Sequence, residues 1–378
     1  MLAQQAPTFR SAKTLALVDV AVTDRHGDAV DLEPSDFSLT IDKRRIAVEA
    51  FYHVVDNTVV PVPSGDGTNR AGVAYTPVRT FILFFDTNIG LAALDRAKTA
   101  AKAFLQRELG NGDYAGIIVG GRLVQGRLVT TREAAIAAVG SVRPDPDALA
   151  RMTGPASRAP TADGTGRARA DAAQDEMNAA LSRADEAIGD GGAGWEQNKS
   201  LTKLLATVKG MQSLPGRKVI VLLSNGFPLS GMMPGDKSGT GHVTMATIVE
   251  AASAAGVRIY TVDPRGLDQG FTTSTELFAD APRPLGTSVH GDELGVPGKK
   301  NPRVAADDVL ASLALDTGGL WLHNENDLSR TFDRISRDNR SYYVLGYDAS
   351  GADRPDQITI HVKRSGVAVR ARINVTAR

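Results

Sequence analysis

Apolar and polar residues alternate strictly near both ends of the chain. Val18, Val20 and Val22 are interleaved with Asp19, Ala21 and Thr23; after a turn at Asp24-Arg25-His26-Gly27-Asp28, Phe37, Leu39 and Ile41 alternate with Ser38, Thr40 and Asp42. A period of two puts alternate side chains on opposite faces, so these segments read as half-buried strands. The C-terminal segment repeats the pattern. Ile358, Ile360 and Val362 alternate with Thr359, His361 and Lys363, a turn falls at Ser365-Gly366, and Val367, Val369, Ala371, Ile373 and Val375 oppose Arg370 and Arg372. Read locally, this is a hairpin with one wet face. Neither end has enough strands to cover its own apolar face, and an isolated hairpin is marginal in water. The economical expectation is one discontinuous β-sandwich-like module, built from residues 1–77 (with a linker) and 341–378.

Between them the period changes. Phe81 to Phe85 is a continuous apolar run ending at Asp86, and a helix is expected from Leu91 to Leu109 with Leu94, Ala97, Ala101, Phe104 and Leu105 on one face. Tyr114–Gly120 and Leu123–Thr130 read as a hairpin bringing in an edge strand, and Thr131-Arg132-Glu133 opens another helix. Further strands are expected at Arg217–Ser224, Gly256–Asp263 and Gly319–His323, and a last helix shows Leu328, Phe332 and Ile335 on one face. Residues 78–340 therefore read as a doubly wound, mostly parallel, Rossmann-like α/β domain with ligand-facing loops at the carboxyl ends of its strands. Three stretches lack a packing pattern: Asp56–Pro77, read as a linker; a long insertion at about 144–198, with one helix over Ala170–Ile188; and Pro264–Pro302.

Composition narrows the chemistry. The 378 residues contain no Cys, which removes disulfides, thiolate metal sites and cysteine nucleophiles together. The six His include no pair spaced i, i+4. Lys plus Arg and Asp plus Glu are 43 each, so no global field draws the chain to nucleic acid or an acidic membrane, which leaves room only for a local patch. No apolar run approaches the roughly 18 residues of a membrane span, so no membrane insertion is expected. The start, Met1-Leu2-Ala3-Gln4-Gln5-Ala6-Pro7, reads either as the mature end left by removal of a signal peptide or as a plain cytoplasmic N-terminus.

The order of strand, Asp86-Thr87-Asn88-Ile89-Gly90, helix, hairpin and then Val219 to Gly226 resembles the von Willebrand factor A domain. Several blocks resemble more closely a bacterial, acidobacterial-type family related to it. They are Val20-Ala21-Val22-Thr23-Asp24-Arg25-His26-Gly27 with Asp36-Phe37, Leu214-Pro215-Gly216-Arg217-Lys218, Tyr260-Thr261-Val262-Asp263-Pro264-Arg265-Gly266-Leu267, Leu313-Ala314 with Thr317-Gly318-Gly319, and Tyr342 to Tyr347. Their order and spacing cover nearly the whole chain. The resemblance implies an A-like fold, a location outside the cytoplasm or in the cell envelope, and a metal-ion-dependent adhesion site at the sheet crest. In that site an Asp-x-Ser-x-Ser loop, a Thr and a later Asp hold Mg²⁺. Here Asp86 stands at the first Asp position, but Asn88 and Gly90 replace the two Ser, Asn225 replaces the later Asp, and no Thr can be placed. One carboxylate with amide oxygens is a poor cage for a hard divalent ion, so the site is expected to be degenerate, with no cofactor and at most weak Mg²⁺ binding. As ordinary structural residues, Asp86 and Asn225 would cap helices or hold loops.

Other signals are weaker. Asp263-Pro264-Arg265-Gly266 ends a strand at the same crest and could add a carboxylate, although Asp-Pro is also an ordinary turn starter. The tract containing Arg151, Arg158, Arg167 and Arg169 is interleaved with acids, which favours a solvated loop over a nucleic-acid site. Two functions are consistent with these signals. One is a non-catalytic adhesion module engaging a protein or glycan through crest residues Asp86, Asn88, Gly90, Asn225 and Asp263. The other is a hydrolase using Asp86, Asp263 and His323, for which those groups must share hydrogen-bond reach.

Overall fold

The alternating segments at the two ends pair with each other in the computed structural model, which describes residues 15–25, 28–60, 75–87, 89–143, 165–188, 195–214, 216–227, 243–266, 302–349 and 358–374. The strands are β1 (Leu15–Thr23), β2 (Phe37–Ile41), β3 (Arg44–Ile46), β4 (Ala50–Val55), β5 (Thr58–Val60), β6 (Arg79–Phe85), β7 (Tyr114–Val119), β8 (Arg122–Leu123), β9 (Arg217–Leu223), β10 (Val257–Val262), β11 (Trp321–Leu322), β12 (Ser341–Asp348), β13 (Ile358–Val362) and β14 (Ala368–Asn374). The helices are α1 (Leu91–Glu108), α2 (Arg132–Gly140), α3 (Thr165–Ile188), α4 (Trp195–Gly210), α5 (Met245–Ala255), α6 (Pro302–Asp316) and α7 (Leu328–Arg340). The chain divides into two units, residues 1–76 with 340–378 and residues 77–339.

The first unit contains two antiparallel sheets, ordered β14-β1-β12-β4-β5 and β13-β2-β3. Val18, Val20 and Val22 of the larger sheet share one buried cluster with Phe37, Leu39 and Val362 of the smaller, as the alternation requires of inward positions. Phe37 lies 5.4 Å from Phe51 and 5.1 Å from Tyr343 between ring centroids. The Tyr343 hydroxyl donates to the Val30 carbonyl at 2.7 Å and accepts from Leu32 N at 2.8 Å, pinning the segment before β2. Burial pushes its pKa up to about 12.

Two expectations are corrected in this unit. β13 and β14 do not form a hairpin: β13 pairs with β2 and β14 with β1, in different sheets. The alternation fixes which side chains point inward, but it carries no information about which strand lies alongside. The stretch from Asp56 is not all linker, because Thr58–Val60 pairs with β4. Asp56 and Asn57 both adopt positive φ, 48° and 59°, as a two-residue primed turn demands, and Asn and Asp tolerate that conformation best after Gly.

The second unit is a six-stranded sheet ordered β11-β10-β9-β6-β7-β8, parallel except for β8. Every residue of β6, β9 and β10 is buried, which is why these strands read as unbroken apolar runs. Side chains of α1, α2 and α7 cover one face and those of α3, α4, α5 and α6 the other, giving a doubly wound, mixed α/β architecture. Gly216 precedes β9 with φ +73°, and a Cβ there would stand 2.0 Å from the Val78 carbonyl oxygen, so the approach to the sheet admits only glycine.

The expected edge strand over Leu123–Thr130 shrinks to the two residues of β8, followed by a 3₁₀ turn at Val124–Gly126 and a single bridge from Val129 to Ala115. The expected insertion is partly integral to the fold: α3 buries Met177, Leu181 and Ala184, and α4 begins at Trp195. Residues 144–164, 189–194 and 267–301 lie outside the described residues.

Candidate functional site

Parallel register aligns the carboxyl ends of the strands. Phe85 is opposite both Val119 and Leu223, Leu223 is opposite Val262, and Val262 is opposite Leu322. The next residues therefore form a row along the crest: Gly120, Asp86, Ser224, Asp263 and His323. With strands spaced about 4.8 Å apart, the Asp86 and Asp263 backbones stand roughly 10 Å apart, and Asp86 and His323 roughly 14 Å.

Asp86 is 5% exposed. Its Oδ1 accepts the Ser200 hydroxyl at 2.6 Å and the Thr87 amide at 2.8 Å, and its Oδ2 accepts the Ser224 hydroxyl at 2.6 Å. Ser224 Oγ in turn accepts Gly226 N at 3.0 Å. The carboxylate thus ties β6, the end of β9 and the first turns of α4 together. These are short, charge-assisted bonds in a buried setting.

The other expected site residues behave differently. Gly90 is the N-cap of α1 with φ −67°, and a Cβ at that position would meet nothing within 4 Å. Asn225 comes directly after Ser224, and its side-chain oxygen is buried. Asn88 lies outside the described residues. Asp263 is turned into its own loop: Oδ1 accepts the Arg265 backbone N at 2.9 Å, and the guanidinium closes a fork with Nε–Oδ1 at 2.8 Å and Nη2–Oδ2 at 2.7 Å. Arg96 of α1 braces that loop, donating from Nη2 to the carbonyls of Pro264 at 3.0 Å and Arg265 at 3.2 Å. His323 is exposed and stacks on Trp321 with centroids 3.8 Å apart. Lys203 of α4 donates to the Gly120 carbonyl.

The crest therefore brings Asp86 together with Ser200 and Ser224, two residues that no sequence motif marks. Ser200 sits beside Leu201, Leu204, Leu205 and Val208, whose spacing announces a helix face but not a carboxylate 114 residues away. Arg265 is legible in principle, since Asp followed two residues later by a donor is an Asx-turn pattern. As a metal cage, the Asp86 group offers one formal charge and two hydroxyls that already donate into it, short of the oxygen set a hard divalent cation requires. Among the described residues no cluster of three or more His, Cys, Asp or Glu is placed to hold a metal, and no helix is long and apolar enough to cross a membrane.

No protein-family model matches the chain, and no curated protein matches it in sequence. Solved structures similar to it include an aerotolerance-related membrane protein from Bacteroides fragilis NCTC 9343 carrying multiple mutations to serines, at 13% identity, TM-score 0.32, with 69% of this chain and 98% of that chain covered. BatB from Bacteroides thetaiotaomicron is similar at 16% identity, TM-score 0.32, over 69% of this chain and 98% of that one. The N-terminal domain of TFIIH p34 is similar at 16% identity, TM-score 0.31, over 68% and 96%.

Proposed function

We propose that this chain is a non-catalytic binding module of the bacterial envelope or exterior: a von Willebrand factor A-like domain, joined to a β-sandwich, that engages a protein or glycan partner through its crest loops. The observation that carries this reading is the inward closure of the crest carboxylates, Asp86 onto Ser200 and Ser224 and Asp263 onto Arg265. Acid–base or nucleophilic work needs a titratable group within hydrogen-bond reach of a second one and of the substrate. Here the carboxylates serve to hold loops, and His323 lies three strands away from Asp86. What faces outward is the rim around them, including Thr87, Gly90 and Leu91, the last 68% exposed. Loops at the carboxyl ends of a parallel sheet are where such folds take ligands, and a rim set on internally bonded residues is a rigid platform.

Capture from a bacterial envelope extract with the immobilised chain tests this reading. A specific partner retained in the presence of chelator, and lost when Thr87 and Leu91 are both replaced by Arg, supports it. Capture indifferent to the crest substitutions overturns it, as does turnover of ester or glycoside substrates that disappears with Asp86→Asn while circular dichroism shows the variant still folded.

A further inference from the structure

The three-stranded sheet has two unlike faces. Phe37, Leu39, Ile41, Ile46, Ile358, Ile360 and Val362 face the sandwich core. The opposite face carries Ser38, Thr40, Arg45, Thr359 and His361, with Thr359, Thr40 and Arg45 in one cross-strand row and His361 beside Ser38 in the next. Lys363 extends β13 by one ladder bond, its N donating to the Asp36 carbonyl at 2.9 Å. Arg45, Thr359, His361 and Lys363 are exposed, and Lys43 and Arg364 are exposed at the two ends of the same sheet, Arg364 donating from Nη1 to the Asp31 carbonyl at 3.1 Å; Arg44, opposite Ile41, belongs to the other face. Among the described residues of these three strands, no carboxylate and no large apolar side chain stands on this face. The bordering acids are Asp42, in the β2–β3 turn, and, at the opposite end, Asp31, Glu33 and Asp36, the last accepting Glu33 N on Oδ2 at 2.9 Å. Arg45 and Lys363 thus stand on the outward face itself, with Lys43 and Arg364 beyond its two ends.

We propose that this outward face docks on the anionic phospholipid headgroups of a membrane surface, as a peripheral contact independent of the crest. Among the described residues the face carries no Phe, Tyr or Trp, so it lacks the aromatic platform that stacks on a sugar ring. Its cations lie at both ends of the plane with hydroxyls between them, so several phosphates can be met at once. Arg45 suits bidentate phosphate bonding, and Ser38, Thr40 and Thr359 supply hydroxyl donors. Lacking an apolar wedge, the face rests at the headgroup level. β3 and β13 are also edge strands, where charge of either sign discourages pairing with another chain. Lipid docking alone depends on the sign, so charge reversal separates the two roles.

The test is co-sedimentation of the full chain with vesicles of phosphatidylcholine alone or mixed with phosphatidylglycerol. Binding is expected only with phosphatidylglycerol, and it is expected to vanish as salt shortens the Debye length to about 3 Å. Each juxtamembrane cation contributes about fivefold in partitioning, so Arg45→Glu with Lys363→Glu lowers it by well over tenfold. The same charge change on the α/β unit, Arg143→Glu with Arg183→Glu, leaves most of the binding in place. Arg45→Gln with Lys363→Gln gives a milder loss should the reversal variant aggregate, which size-exclusion chromatography reads. Equal sedimentation with both vesicles, equal losses in both reversal variants, or capture of soluble polyglutamate without vesicle binding would each overturn the proposal.

Discussion

Ser200 and Asp86, 114 residues apart in sequence, are joined by a 2.6 Å hydrogen bond from the serine hydroxyl to Oδ1. With the matching bond from Ser224 at 2.6 Å, it makes one buried carboxylate the junction of two strands and a helix. A hydrogen bond to a charged group is worth about 1.5–3 kcal/mol, and an abandoned buried polar group adds its desolvation cost. Ser200→Ala should therefore lower stability by about 2 kcal/mol, and Asp86→Ala, which removes the acceptor of both hydroxyls, by about 3–5 kcal/mol. Asp86→Asn, which keeps one acceptor, should fall between them. Urea midpoints at constant m-value give the comparison; an unchanged midpoint in Asp86→Ala would remove the lock from the account of the crest.

Lys218 sets a pH dependence of definite sign. The residue is 3% exposed at the amino end of β9, and its ammonium donates to the Leu214 carbonyl at 2.9 Å. Burial lowers its pKa from 10.5 to about 8. Between these values the unfolded chain holds more protons than the folded one, so stability rises with pH across that window. Below about pH 8 the full cost of burying the charge is present, on the order of 3 kcal/mol. Lys218→Met should thus raise stability at pH 7, by less than that figure because Leu214 loses its donor, and the advantage should shrink as pH approaches 10.5. Paired denaturation curves of the two proteins across this range isolate the group. A constant difference, or one that grows with pH, would contradict it.

How far the fold is legible in the sequence depends on what period and composition encode. Unbroken runs such as Phe81–Phe85 announce strands buried on both faces, and the i, i+4 spacing of Leu328 and Phe332 announces a helix face, because both patterns are set by local geometry. Partner choice is not local. Nothing in Ile358–Val362 says that it pairs with β2 instead of turning back onto β14. The same limit hides half of the site. Asp86 is visible at a strand end, whereas Ser200 reaches it only through the packing of α4 against the sheet. In α3 the buried residues Met177, Leu181 and Ala184 are too sparse, in a polar, alanine-rich stretch, to announce that the helix packs into the core.

The sandwich core gives a graded prediction. Leu39 is fully buried between the sheets, whereas its cross-strand partner Ile360 is half-buried at the edge. Leu39→Asp places an unpaired charge where no water reaches it and should cost several kcal/mol, enough to unfold a marginally stable unit. Ile360→Asp can turn its carboxylate toward solvent and should cost about half as much. Two separate unfolding transitions, with only the first displaced by these changes, would place the damage in this unit; equal effects at the two positions would mean that the edge is as tightly closed as the centre.

The metal question has a converse that the geometry makes practicable. With a single carboxylate already accepting two hydroxyls, the native crest should bind Mg²⁺, Mn²⁺ and Ca²⁺ no tighter than about 0.1 mM, and chelation should leave partner capture intact. The combined change Asn88→Ser, Gly90→Ser and Asn225→Asp adds one charge and two hydroxyls. The space for the new side chain at Gly90 is open, and Ser is at least as good an N-cap for α1 as Gly. The triple variant should therefore fold. Its second carboxylate would stand beside Ser224, near Asp86, so without metal it should unfold at lower temperature than the parent because like charges repel. Mg²⁺ should reverse that loss, since an ion bound only by the folded state stabilises it by mass action. Calorimetric titration and thermal unfolding with and without Mg²⁺ measure both halves. A variant that folds and still ignores the ion would mean that these three positions do not converge on Asp86, and that the crest loops are arranged differently from those of the metal-binding A domains.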